Sequence, residues 1–206
     1  MNGFLNINKP EGITSHKAVS LVKKWLKVYK VGHMGTLDPM ATGVLLVAIG
    51  NATRAGPFLF GLTKAYRGKM TLGIETDTQD RTGKTIDSHP VEGISLKTVE
   101  AAFRKFTGSI FQEPPMFSAK KVNGQRLYKL ARKGETVERK PIQVQVHRLE
   151  VLQLSTNTIR FETEVSSGTY IRTLCRDIGN ELGVGAHLSQ LSRTAVGPFS
   201  ISESSD

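Results

Sequence analysis

The sequence predicts an α+β fold, with a mixed, largely antiparallel sheet flanked by helices. Stretches that alternate apolar and polar residues outnumber stretches with helical spacing, and several of them follow one another with no helix between. One continuous apolar run, residues 44–49, ends at Gly50-Asn51 and has the length of a buried strand. A doubly wound parallel fold would instead alternate strand with helix throughout.

The elements follow in order. Residues 4–8 put Leu5 and Ile7 on one face, and Lys9-Pro10-Glu11-Gly12 supplies a turn. Thr14 or Ser15 can cap a helix running to about Leu26, with Ala18, Val22 and Trp25/Leu26 as its apolar stripe and Lys17, Lys23, Lys24 and Lys27 off it. Tyr66, Gly68, Met70 and Leu72 alternate with Arg67, Lys69 and Thr71, which predicts a strand. Leu96, Val99, Ala102, Phe103 and Phe106 form an amphipathic helix that Ser95 can cap. Ile142, Val144 and Val146 mark one further strand, and Ile159, Phe161, Thr163 and Val165 another. Ile171, Leu174, Cys175, Ile178 and Leu182 give a helix that stops at Gly183. The polar tail Ser202-Glu203-Ser204-Ser205-Asp206 is expected to fray.

The bulk numbers bound the function. A chain of 206 residues with 38% hydrophobic and 22% charged residues can bury a substantial core. No apolar run reaches the roughly 18 residues that span a bilayer, and the N-terminus lacks the pattern of a signal peptide. The single cysteine, Cys175, excludes an internal disulfide and a cysteine zinc site, so a reducing, cytoplasmic setting is the default. The formal charge of +10 and pI near 9.8 suggest an anionic partner, a feature that ribosomal, membrane-surface and DNA-binding proteins share. Residues 118–150 hold nine Lys/Arg against three acids, a density suited to phosphate contact.

The chemistry concentrates in Gly32-His33-Met34-Gly35-Thr36-Leu37-Asp38-Pro39-Met40-Ala41-Thr42-Gly43. Three glycines and a proline mark a constrained loop that runs straight into the apolar strand. Taken alone, Asp38 reads as a turn residue before proline, and His33 as an ordinary loop histidine. The segment nevertheless resembles the catalytic loop of the TruB-type tRNA pseudouridine synthases. Five further segments match that family in the same order: Lys9-Pro10-x-Gly12-x-Thr14-Ser15, Lys64-x-Tyr66, the run from Gly73 through Thr76-Asp77-Thr78 and Asp80 to Gly83, the run from Pro114-Pro115 to Gly134, and Ser167-Gly168-Thr169-Tyr170-Ile171-Arg172. Six segments in register cover the chain to about Phe199.

The resemblance implies a pseudouridine-synthase-like fold and a reaction in which uracil is detached from ribose, rotated and rejoined through carbon. Substrate and product are isomers, so no cofactor and no metal is expected. Asp38, Tyr66 and Arg172 take the catalytic positions. The Asp38 carboxylate would act as nucleophile or local base, Arg172 would pair with it, and Tyr66 would stack on the base. His33 would fill the space left by the extruded uridine, and Tyr170 and Leu191 would line the pocket. Lys9 and Lys64 join Lys120, Lys121, Arg126, Lys129 and Arg132 as RNA-binding candidates, with Lys9-Pro10 also buttressing the pocket wall near Tyr66. Asp77 and Asp80 could be a metal pair, although a loop role is favoured because no third ligand lies nearby.

The resemblance further implies a single catalytic domain over residues 1–206, with a basic RNA-gripping insertion around 118–150. The small C-terminal RNA-binding module of many family members would be absent. The T-arm of tRNA would be the partner, with no membrane involved and a monomer as the default. A guide-RNA-dependent relative and a non-catalytic RNA-binding or RNA-folding protein are the alternatives.

Overall fold

The computed structural model describes residues 1–122 and 124–205; Asp206, the last residue of the expected frayed tail, lies outside them. In chain order the first half comprises β1 (Gly3–Lys9), α1 (Ser15–Leu26), β2 (Val31–His33), β3 (Thr42–Ile49), α2 (Gly56–Phe60), β4 (Lys64–Leu72), β5 (Ile74–Thr76) and β6 (Thr85–Ser88). Then come α3 (Leu96–Lys105), β7 (Gly108–Gln112), β8 (Lys121–Val122), β9 (Gln125–Arg126) and α4 (Leu127–Ala131). The chain continues with β10 (Ile142–Ser155), β11 (Thr158–Val165), α5 (Ile171–Glu181), β12 (Ala186–Val196) and β13 (Phe199–Ser200). The α+β expectation holds, with antiparallel pairs dominating the sheet.

The chain forms two compact units. The first contains Met1–Arg67, Glu164–Ser167 and the residues from Gln190 onward; the second contains Gly68–Thr163 and Gly168–Ser189. Strand order in the first is β1-β3-β12-β4, with β2 and β13 off that path; in the second it is β12-β4-β11-β10-β7.

In the first unit β3 organises the core. Leu45, Val47 and Ile49 pack with Ala18, Val19 and Val22 of α1, while Val44, Leu46 and Ala48 pack with Met34 and Val196. Burial on both faces explains why this strand is apolar without alternation. β1 lies antiparallel on β3 from Gly3↔Ile49 to Lys9↔Gly43, and β12 lies parallel through Ser192↔Thr42 and Arg193↔Gly43. Thr14 is the N-cap of α1, its hydroxyl accepting from Lys17 N at 3.0 Å. Trp25 is not on the core stripe: it is 78% exposed, and Leu26 takes the inward place. The tail is also more ordered than expected. Ser205 exchanges backbone bonds with Asn6 and Asn8 beside β1, because its strand-like backbone meets the edge of that strand.

In the second unit Phe103 of α3 meets Phe161 of β11 edge-to-face, with centroids 6.4 Å apart. Gly68 makes room for the same ring, since a Cβ there would lie 2.3 Å from Phe161 Cζ. β7 pairs antiparallel with β10 from Gly108↔Val146 to Gln112↔Ile142, and α3 packs against β10. Ile171, Leu174, Cys175 and Ile178 form the buried face of α5. Burial raises the Cys175 thiol, which makes it an inert packing residue.

Candidate active site

The loop carrying Asp38 has almost no secondary structure of its own, so its shape is set by the side chains that tie it down. Ser15 is spent here rather than on capping α1. Its buried hydroxyl donates to Leu37 O at 2.9 Å and accepts from Leu37 N at 2.8 Å. One residue beyond Asp38, Pro39 O accepts from Gly12 N at 2.8 Å and from Lys9 Nζ at 3.4 Å. The Asp38 carbonyl itself accepts from Ala41 N, closing a turn over Pro39-Met40. Leu37, Met40 and Ala41 are buried while Asp38 is half-buried. Buried neighbours on both sides, Leu37 and Met40, thus anchor a half-buried Asp38.

Arg193 of β12 spans the whole loop from beneath. Its guanidinium is 2% exposed, and it donates to Val44 O at 2.7 Å, Thr36 O at 3.3 Å and Gly35 O at 3.2 Å. One rigid fork therefore binds the loop's start and the strand that follows it. The close approach of the Arg193 backbone requires Gly43, with φ +100°, where a Cβ would lie 2.3 Å from Arg193 O.

Two more cations are buried in the same unit. Lys9 is fully buried and its Nζ donates to Pro10 O and Ile13 O. Lys64 donates to Phe60 O at 2.8 Å and Leu62 O at 2.6 Å. Their amines hold loop backbone, which corrects their grouping with the phosphate-gripping lysines. Burial lowers both, helped by the Arg193 charge, and Lys64 falls to about 8; at Lys9 the Asp38 carboxylate opposes the fall.

Tyr66 and Leu191 are buried, on β4 and β12, each 8% exposed. His33 ends β2, and its Nδ1 is buried with no hydrogen-bond partner among the described residues. Burial, then the Arg193 and His16 charges, lower His33, so it is neutral at pH 7. A neutral ring stacks without paying to strip water from a charge.

Arg172 belongs to the second unit, at the start of α5. It is 5% exposed and donates to Thr78 O at 3.0 Å and Phe117 O at 2.9 Å, with Asp80 Oδ2 at 3.7 Å from its Nη1. Asp80 Oδ1 accepts from the Thr78 and Thr82 hydroxyls and from Thr82 N, and Asp77 Oδ1 accepts from Lys84 N. Both acids thus organise a loop, as favoured from the sequence. Tyr170 precedes α5 and is gripped by the fully buried Gln112, which accepts from Tyr170 N at 3.0 Å and donates to Tyr170 O at 3.3 Å.

The basic stretch also lies in the second unit. Lys121, Arg126, Lys129 and Arg132 are exposed, and Arg132 stacks on Tyr128 at 5.5 Å. Lys120, Lys121, Arg139 and Lys140 line a cavity of about 340 Å³ with Glu138 as its acid. Arg139 is braced by Glu113 at 2.6 Å. Sequence reasoning missed Arg193, Gln112 and the bracing role of Ser15, because a buried polar residue leaves no periodic signal.

A profile of the TruB family pseudouridylate synthase N-terminal domain matches residues 23–171, and one of the tRNA pseudouridylate synthase B C-terminal domain matches residues 172–206. The chain belongs to the TruB family of pseudouridylate synthases. Among TruB relatives, tRNA pseudouridine synthase B of Clostridium tetani is 47% identical over 99% of this chain and 71% of its own length. That of Geotalea uraniireducens is 48% identical over 98% and 65%. Among solved structures, a chain in a Cbf5-Nop10-Gar1 complex aligns with TM-score 0.75 and 35% identity, over 96% of this chain and 50% of its own. An H/ACA RNP bound to a substrate RNA containing 2'-deoxyuridine gives TM-score 0.71 and 32% identity, over 96% and 48%. This chain therefore spans about two thirds of those curated TruB relatives and about half of those solved chains. By family it is an RNA-modifying isomerase. No described helix is long and apolar enough to cross a membrane.

Proposed function

We propose that this chain converts one uridine in the T-loop of tRNA, position 55 in tRNA numbering, to pseudouridine. The N1–C1' bond breaks, the uracil turns, and a C5–C1' bond forms; C5 loses its proton and N1 gains one, so no co-reactant is consumed. Asp38 is the carboxylate that acts at the sugar or base, Tyr66 stacks on the uracil, and Arg172 completes the catalytic set that the family resemblance implies. Extruding the uridine from its stack costs roughly a few kcal/mol, which His33 offsets by filling the vacated space. Tyr170 and Leu191 are further contacts to the RNA, and residues 118–150 grip its backbone.

The observation that carries this reading is the half-buried Asp38 carboxylate on a loop tied down by Ser15, Gly12, Lys9 and Arg193. Such bracing is what preorganised chemistry needs. The test uses an unmodified tRNA transcript without guide RNA or accessory protein. After incubation, carbodiimide treatment and reverse transcription should give a stop at position 55. A stop that requires a guide RNA would favour the guide-dependent reading, and tight binding without a stop would favour a non-catalytic RNA-binding protein.

A further inference from the structure

Between Glu11 and Glu75 the chain carries nine Lys/Arg and a single acid, Asp38, a net +8 that exceeds the charge of the 118–150 stretch. Its densest part is Lys23-Lys24-Trp25-Leu26-Lys27-Val28-Tyr29-Lys30. The apolar residues here divide sharply. Leu26 and Val28 pack on the β3–α1 core, whereas Trp25 is 78% exposed and Tyr29 is 96% exposed. On α1 the exposed Lys17, Leu21, Lys24 and Trp25 fall at helical spacing on one face. Lys27 then adopts the left-handed conformation, φ 52°, and ends the helix before Tyr29.

Single exposed apolar residues need no explanation, but here two large aromatics four residues apart in the chain are both left exposed among lysines. Three occupants could use it. A membrane-surface helix would present an apolar stripe to the acyl chains, yet the stripe of α1 (Ala18, Val19, Val22) is already buried on β3. A second copy would bring like charge against like charge. Nucleic acid fits both features, since every base offers a π-face to Trp and Tyr while lysines neutralise the adjoining phosphates.

We propose that Trp25, Tyr29 and the lysines beside them form an RNA-binding platform, additional to the Asp38 loop and the 118–150 stretch, that stacks unpaired bases of the substrate. This rests on the reading that the substrate is RNA.

Trp25 is the single tryptophan of the chain, so its emission reports on this surface alone. The full chain would be titrated with an unmodified tRNA transcript at low salt. Trp25 emission and filter binding would be followed together, and position-55 stops scored in the same samples. We expect saturable quenching with the midpoint of the binding curve, reversed by added salt. Tyr29→Ala, at a site too exposed to unfold the chain, should weaken binding by about tenfold. Emission that stays unchanged through a full binding curve overturns the platform, and leaves the function intact if stops still form. Neither binding nor stops overturns both readings. A shift with phosphatidylserine vesicles but not RNA, or one that grows with protein concentration alone, overturns the platform in favour of a membrane or a second copy.

Discussion

Arg193 donates from Nε to the Val44 carbonyl at 2.7 Å, where β12 runs parallel to β3, and the same guanidinium reaches back to Gly35 and Thr36. A buried arginine whose donors all end on carbonyl oxygens is a brace for backbone. Arg193→Met should therefore strand three carbonyls and destabilise the chain by roughly 3 kcal/mol, read as a lower urea midpoint. Gly43→Ala should cost at least about 2 kcal/mol, because the added Cβ meets the Arg193 backbone in a left-handed conformation. Gly12→Ala, where the Cβ would meet nothing within 4 Å, provides the comparison for conformational strain alone.

Asp80 divides its two oxygens between tasks, one for the loop at Thr78 and Thr82 and one toward Arg172. Asp80→Asn keeps an acceptor for the loop and removes the charge opposite the guanidinium. Its kcat should fall tenfold or more, equivalent to about 1.4 kcal/mol, with a small change in melting temperature. Asp80→Ala should lose the loop as well and melt markedly lower. Equal melting of the two variants would contradict this division.

The sequence made some of this legible and hid the rest for definite reasons. The α1 helix, the Ser95 cap and the apolar β3 run are periodic or composition signals, and each appears at the expected place, although Trp25 leaves the α1 stripe. The eleven residues of β12 were not read as a strand. Two of its inward positions are polar, His187 bonded to Ile74 O and Arg193 bonded to Val44 O, and these break the alternation. Asp38 stood out through glycine and proline density and family pattern. Its supports did not, since Ser15 reads as a helix cap until its hydroxyl is seen on Leu37.

Lys64 has its pKa lowered to about 8 by burial and the Arg193 charge, against 10.5 for an ordinary lysine. Between those values the unfolded chain binds more protons than the folded one, so the stability of the fold rises as pH rises from about 8 to 10.5. Urea midpoints measured from pH 7 to 10 should climb, and Lys64→Met should flatten the climb. A wild-type midpoint that falls over this window, with the variant following it, would contradict a buried, depressed lysine.

Lys121 and Arg126 are exposed on β8 and β9. Reversing both to Glu should raise KM for tRNA while leaving kcat within about twofold, and should reduce the slope of log affinity against log salt by roughly 1–2. An unchanged slope would show that the stretch does not contact phosphate.

The central claim, that Asp38 carries uridine isomerisation, is tested most directly with tRNA tritiated at carbon 5 of uridine. Wild-type protein should release tritium to water, and Asp38→Asn, which preserves size and the loop's backbone bonds, should release essentially none while binding tRNA as tightly. Release by Asp38→Asn at the wild-type rate, or none by the wild type at any salt concentration, would contradict the account.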